Sequence, residues 1–327
     1  MADFDLDTWT TVARRLTEAA AHACTPWIGE GKKDAADAAA VDALRDRLAA
    51  APGRGRIVIG EGEKDDAPYL APGSTVGAAT SPVFDIAVDP LEGTRLVAEA
   101  QPGALAVLAL APAESMLPLG RAFYMEKLIG PPSVDAALDL DASPAAVVHG
   151  VAEAQQIPVA EVRVAVQERP RHAGLVDSIR EAGAQVHLFG EGDLSFALLA
   201  LRERGDGKAR TRTTEAPIDL LWGIGGAPEG MLAAAAQRVV GGAMRLRLAP
   251  RSETERARLR DDPALPDVLG QTFQARDLVR TDTVVMALTG VTDGPLLDGI
   301  RENEPGCRAD TLLLTPDDGV QRRSAAS

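Results

Sequence analysis

The sequence predicts an α/β fold, and three observations carry the prediction. Short runs of Val, Ile and Leu recur along the chain, and segments with apolar residues at helical spacing lie between several of them. Hydrophobic residues make up 46% of the composition while aromatic residues supply only 3%, so the core must be built from Ala, Val, Leu and Ile. With 327 residues the chain can form one large domain or two closely packed lobes. The expected division is one unit with lobes at about residues 1–150 and 151–315, followed by a flexible tail over 316–327.

The elements follow in order. Apolar spacing predicts a first helix from Leu6 to Cys24 and a second from Ala35 to Ala50. RIVIG, Arg56 to Gly60, is a β-branched run that stops at a glycine, as a buried strand does. Val83 to Val88 is the next strand, followed by a turn and a helix from Thr94. Ala104 to Ala111 is a third apolar run, and Val162 to Val166, Val186 to Phe189, Ile218 to Trp222 and Val284 to Leu288 are further strands. Helical patterns cover Ala173 to Ala182 and Glu229 to Val240. RERGDGKARTRTTEAP reads as an exposed loop, and no internal repeat is present.

The formal charge of −14 repels nucleic acid and anionic membrane. A phosphate site on such a chain needs bound cations or clustered basic side chains. Cys24 and Cys307 are the only cysteines, and no CxxC spacing occurs, which argues against a disulfide framework or structural zinc and fits a reducing compartment. MADFDLDTWTTVARRL is acidic and lacks the apolar core of a signal peptide. ALAVLALAPA is too short to span a bilayer, so a soluble cytoplasmic protein is expected.

Chemistry gathers where strands end in acids. In VFDIAVDPLEGTR, Asp85 and Asp89 share one face of a strand, Pro90 favours a turn, Glu92 follows, and Gly93 allows tight backbone geometry. Thr94 then stands where it caps a helix whose amides attract anions. Two carboxylates and a hydroxyl in one short turn suit a hard cation such as Mg²⁺, although D-P-x-x-G alone equally fits a surface turn. IVIGEGEKDD is a second strand emptying into acids, with Glu61 first after the glycine. IDLLWGIGGAPEG combines a strand, a glycine-rich loop in which Gly225 and Gly226 let backbone approach a phosphate, and a helix start with Pro228 and Glu229. Glu229 there also fits simple complementation of the helix dipole. RPRH, Arg169 to His172, is a basic cluster suited to an ester's distal phosphate. Ligand sites in α/β sheets collect at such strand ends.

Taken in order, GEGE, DIAVDPLEGTR, YMEKL, PRH and GIGGAPEG resemble the class II fructose-1,6-bisphosphatases, over about residues 10 to 315. DPLEGT is also similar to the D-P-[IL]-D-G-T turn of the wider lithium-sensitive phosphatases, inositol monophosphatases included. The resemblance implies a layered α-β-α-β-α sandwich, a homo-oligomer (dimer or tetramer), and Mg²⁺- or Mn²⁺-dependent removal of the 1-phosphate from fructose 1,6-bisphosphate. Some members of the family also act on sedoheptulose 1,7-bisphosphate. Carried over by position, Glu61, Asp89, Glu92 and Glu229 match metal-binding carboxylates, and Thr94 matches a residue that orients the attacking water. Glu92, Gly93, Thr94, Tyr124, Arg171, His172, Glu191, Asp193 and Gly226 fall on or beside substrate-contacting segments.

Three departures stand out. GEGKKDAAD places Lys32 where the family has a metal-binding Asp, and a protonated lysine cannot coordinate a cation. Asp34, two residues on, leaves a helix in another direction. Ala173 follows PRH where Asp is common, and EGD replaces DGD at Glu191. They raise two alternatives: a phosphatase for another sugar phosphate, or a sugar-phosphate binder with impaired catalysis.

Overall fold

The computed structural model describes residues 4–60, 70–80, 83–119, 122–204, 217–262, 268–303 and 306–326. The chain divides into two compact units, Met1–Arg121 with Val279–Ser327, and Ala122–Arg210 with Thr214–Leu278. In chain order the first unit begins with α1 (Leu6–Cys24), α2 (Lys33–Ala49), β1 (Arg54–Ile59), β2 (Thr75–Val76), β3 (Val83–Glu92), α3 (Thr94–Ala98) and β4 (Leu105–Pro112). The second unit holds β5 (Tyr124–Gly130), α4 (Pro144–Gln155), β6 (Arg163–Gln167), α5 (Ala173–Glu181), β7 (Gln185–Phe189) and α6 (Asp193–Ala200). It continues with β8 (Leu220–Gly226), α7 (Ala227–Val240), β9 (Ala243–Leu248), α8 (Glu253–Arg260) and α9 (Ala275–Leu278). The chain then returns to the first unit with β10 (Val285–Gly290), β11 (Arg301–Asn303), β12 (Gly306–Thr315) and β13 (Gly319–Ala326).

Among the described residues the first unit is a mixed sheet in the order β11-β12-β10-β4-β3-β1-β2, with β13 also paired to β12. The β1–β3 pair is parallel, whereas β3–β4 and β4–β10 are antiparallel. One face presents Phe84, Ile86 and Val88 of β3 and Ala104, Ala106, Leu108 and Leu110 on and beside β4 to the apolar sides of α1 and α2. Trp9 of α1 lies 4.1 Å, ring to ring, from Phe84 and is 1% exposed. Burying a side chain of that size is worth upwards of about 2 kcal/mol. Asp5 starts α1 by accepting from the Thr8 amide at 2.9 Å, and the alanines of α2 let it lie close to its neighbours.

The second unit is a mixed sheet in the order β7-β6-β8-β5-β9, with β6 parallel to both β7 and β8. α4 and α5 pack on the face that carries Leu128, Val164, Val166, Leu220 and Trp222. Lys127 points to the opposite face, where it meets the first residue of α6. Each unit thus sets helices on a mixed sheet, and the predicted α/β class stands. No helix among the described residues is long and apolar enough to cross a membrane.

Several expectations differ from what is found. The units part at residues 121/122 and 278/279 instead of near 150, because β10 returns to pair β4 in register from Val285 opposite Leu110. The expected tail is an ordered strand: β13 pairs β12 from Gly319 opposite Thr315 to Ala326 opposite Arg308, and Arg322 binds Asp310 across the hairpin. β5 was not predicted because Glu126 and Lys127 interrupt its apolar run, and only the central position of the strand makes their sheet contacts possible. β9 was not predicted either, although its strict alternation, with Met244, Leu246 and Leu248 buried and Arg245 and Arg247 between them, is that of a strand with one buried face. Residues 205–216 of the expected loop lie outside the described residues.

Candidate metal centre and basic pocket

The acidic turn is built by an irregularity in β3. Asp89 and Glu92 are three residues apart, so a regular strand sends their side chains to opposite faces. Pro90 has no N–H to give the ladder, and pairing with β4 shifts register here: Asp89 opposes Val107 and Glu92 opposes Leu105. The extra residue restores the alternation. Asp89 and Glu92 therefore share one face, the face turned away from α1 and α2, and offer carboxylate oxygens within 4.8 Å of each other. Asp89 also accepts from the Leu91 amide at 3.1 Å, which pins the turn, and Glu92 is 3% exposed. Two hard oxygen donors so placed fit a divalent cation such as Mg²⁺ or Mn²⁺.

Asp85 shares that face but has a different task. Arg56, directly opposite on β1, binds it through Nε at 3.0 Å and Nη2 at 3.1 Å, and the Met116 amide donates to it at 3.0 Å. It is a strand-to-strand tie. Gly93 follows Glu92 at φ 87°, in the left-handed region, and a Cβ there meets Leu96 at 2.8 Å. Thr94 is consequently the first residue of α3, and the capping position belongs to Gly93, which makes no side-chain cap bond. α3 has only five residues, so its dipole is small.

Glu61 lies outside the described residues. Lys32 immediately precedes α2, with Nζ 3.8 Å from Glu30 and 5.8 Å from the centre of the Trp27 ring, and its side chain is 61% exposed. Its charge is directed to those two residues. The loop before it is tied to α3 through the Gly29 amide on Val97 O and the Gly31 amide on Ala98 O, at 2.9 and 2.8 Å.

The second unit gathers Tyr124, Arg171, His172, Asp193 and Gly226 around β5 and β8. Lys127 Nζ lies 2.5 Å from Asp193 Oδ2, and both residues are buried. Gly225 is required by this pair: a Cβ there falls 2.3 Å from Asp193 Oδ2 and 3.0 Å from Lys127 Nζ. A Cβ at Gly226 falls 1.9 Å from Glu229 Oε2, because the Glu229 side chain folds back from the first turn of α7 over the helix start. The glycine-rich stretch thus makes room for the side chains of Lys127, Asp193 and Glu229.

His172 is spoken for by the backbone. Its Nε2 accepts from the Ile224 amide at 2.8 Å, and its Nδ1 meets Gln167 O at 2.7 Å, which fixes the proton on Nδ1. Burial, seconded by the nearby arginines, lowers its pKa and keeps it neutral. The His172 ring thus ties the turn before α5 to β8. Arg171 is held by Ile224 O through Nε at 3.0 Å and by Gln167 Oε1 through Nη2 at 3.0 Å. Burial, followed by the charges of Arg251 and Arg169, lowers its pKa from the ordinary guanidinium range. Arg169 Nη2 lies 3.9 Å from Glu191. Sequence reasoning named neither Lys127, which binds Asp193, nor Arg251, whose charge bears on Arg171. Lys127 lies in YMEKL, whose strand was not predicted, and Arg251 carries no local signal.

The family model described as bacterial fructose-1,6-bisphosphatase, glpX-encoded, matches residues 8–327. A curated protein of Acaryochloris marina (strain MBIC 11017) named D-fructose 1,6-bisphosphatase class 2/sedoheptulose 1,7-bisphosphatase 1 is 38% identical over 92% of this chain and 90% of its own. A Trichormus variabilis (strain ATCC 29413 / PCC 7937) protein, named D-fructose 1,6-bisphosphatase class 2/sedoheptulose 1,7-bisphosphatase, is 37% identical with the same coverage. One of Synechococcus sp. (strain JA-3-3Ab), of the same name, is 38% identical over 92% of this chain and 89% of its own.

Proposed function

Because the chain belongs to the bacterial, glpX-encoded fructose-1,6-bisphosphatase family, and is thus a phosphoric monoester hydrolase, we propose that it removes the 1-phosphate of fructose 1,6-bisphosphate. Sedoheptulose 1,7-bisphosphate is the second substrate, in line with the names of the relatives. The observation that carries the reading is the register shift at Pro90, which turns two carboxylates of one strand end to the same face.

In this reading Asp89 and Glu92, with Glu61 and Glu229, hold Mg²⁺ or Mn²⁺. The ion, when bound, neutralises phosphoryl charge and makes water more acidic. The Thr94 hydroxyl, fixed at the start of α3, orients the water that attacks phosphorus in line as the sugar oxygen leaves. Arg171 and Tyr124 hold the distal phosphate, and Asp193, locked by Lys127, accepts from sugar hydroxyls near Gly226 and Glu191. Lys32 removes a ligand without offering its charge to the phosphate, since that charge goes to Glu30 and Trp27. The protein works in the cytoplasm as a homo-oligomer, on small sugar phosphates and on neither nucleic acid nor membrane.

Phosphate release from a panel of sugar phosphates, with Mg²⁺, with Mn²⁺ and with chelator, tests the proposal. Metal-dependent release with a preference for the two bisphosphates is expected. Preference for another sugar phosphate replaces the substrate, and binding without release in any metal replaces the activity.

A further inference from the structure

The basic pocket of the second unit carries a charge pattern that the functional reading leaves unused. Tyr124 opens β5, and the Ala249 amide donates to its carbonyl at 2.9 Å, so the chain leaving β9 runs beside it. Two residues on, the Arg251 guanidinium lies over the Tyr124 ring, 5.1 Å from its centre. The Arg251 backbone is fixed by the start of α8. Its amide donates to Glu255 Oε2 at 2.6 Å, while Ser252 caps the helix by accepting from the Glu255 amide at 3.1 Å. Arg251 is thus held at its root by the helix start and at its head by the Tyr124 ring.

The charges around it sort cleanly. Asp193 is neutralised by Lys127 and Glu191 faces Arg169, while burial keeps His172 neutral. Arg171 spends its contacts on a carbonyl and an amide oxygen, and Arg251 makes no ion pair with any described residue. Two guanidinium charges remain, near enough for Arg251 to perturb Arg171. On a chain of formal charge −14, such a pair has to be maintained against a field of the opposite sign, and a phosphate monoester carries about −1.5 to −2 near neutral pH.

We propose that Arg251 is a specificity-determining residue, which closes with Arg171 and Tyr124 on the distal phosphate and so selects bisphosphorylated sugars over sugars phosphorylated only at position 1. This rests on the bisphosphatase reading above. The ring of Tyr124 keeps the Arg251 fork preorganised, and two forks of fixed geometry bind phosphate oxygens better than mobile ammonium groups do.

The test compares wild type, Arg251→Gln and Arg251→Lys on fructose 1,6-bisphosphate and on fructose 1-phosphate. In Arg251→Gln the ratio of kcat/KM between the two sugars falls about 10- to 100-fold, mainly through KM for the bisphosphate, the scale of one charged hydrogen bond. Arg251→Lys recovers only part of it. An unchanged ratio, or an equal loss on both sugars, overturns the assignment. If wild type hydrolyses neither sugar, the substrate reading fails by itself. Calorimetric titration with inorganic phosphate then decides Arg251: weaker binding in Arg251→Gln supports the pocket, and equal binding rejects it.

Discussion

The end of β3 and the pocket beside β8 follow one backbone plan with opposite charge. In each unit a strand runs out into a left-handed glycine, Gly93 or Gly192 at φ 87°, and the next residue, Thr94 or Asp193, opens a helix. At β3 the plan crowds acids: Asp89 and Glu92 come within 4.8 Å, where like charges repel by on the order of 3 kcal/mol at an effective dielectric near 20. In the second unit the buried acids Asp193 and Asp219 each have a base in contact, Lys127 at 2.5 Å and Arg204 at 2.6 Å. The first region sets two carboxylates side by side, whereas the second places a base against each buried acid. Removing charge should therefore harm function in one and folding in the other.

The largest effect is expected at Lys127. Lys127→Met strands the Asp193 carboxylate in the interior and should cost about 3–5 kcal/mol in urea unfolding, with Lys127→Met/Asp193→Leu recovering most of it. A cost below about 1 kcal/mol would break the comparison on that side. Asp89→Asn should lower kcat at least ~100-fold without lowering Tm in chelator, because it relieves repulsion at β3. It should also abolish the rise in Tm that Mg²⁺ or Mn²⁺ gives wild type. Near-normal turnover in this variant removes Asp89 from the centre. Lys32→Asp should change stability by less than about 1 kcal/mol, as for exposed ion pairs, and raise the number of bound metal ions by one. Equal stoichiometry in the two proteins shows that position 32 has no bearing on the metals.

Sequence pattern revealed what is local and left hidden what depends on distant partners. α1 was read to the residue, and β1, β3, β4, β6 and β7 were located from runs of Val, Ile and Leu. The grouping of Asp89 with Glu92 was legible as spacing, but the reason it works was not: it is the register against Val107 and Leu105 on the next strand. That Asp85 and Asp89 share a face was legible from their spacing, but the tie of Asp85 to Arg56 on β1 was not. His172 looked like a phosphate ligand because histidine beside two arginines is basic in sequence; only the Ile224 amide and Gln167 carbonyl show that both ring nitrogens are used. Lys127 was hidden for the converse reason, since a lysine inside a strand signals nothing until Asp193 arrives from 66 residues away.

The smallest effect, and the one that probes the balance of the pocket most finely, is its response to acid. Folding buries His172 among Arg169, Arg171 and Arg251 and lowers its pKa, so the unfolded chain binds the proton more readily, near 6.5. Stability from this group is intact above pH 6.5 and declines as the pH falls through 6.5 toward the folded value. One proton can contribute at most about 1.4 kcal/mol per pH unit, and His22 and His187, whose pKa values burial also lowers, share the slope. His172→Gln, which keeps an acceptor for the Ile224 amide, should flatten the stability profile below pH 6.5 by its share while leaving the profile above it parallel to wild type. An unchanged slope would mean that His172 takes up its proton without leaving the fold, and that the pocket tolerates a further positive charge beside Arg171.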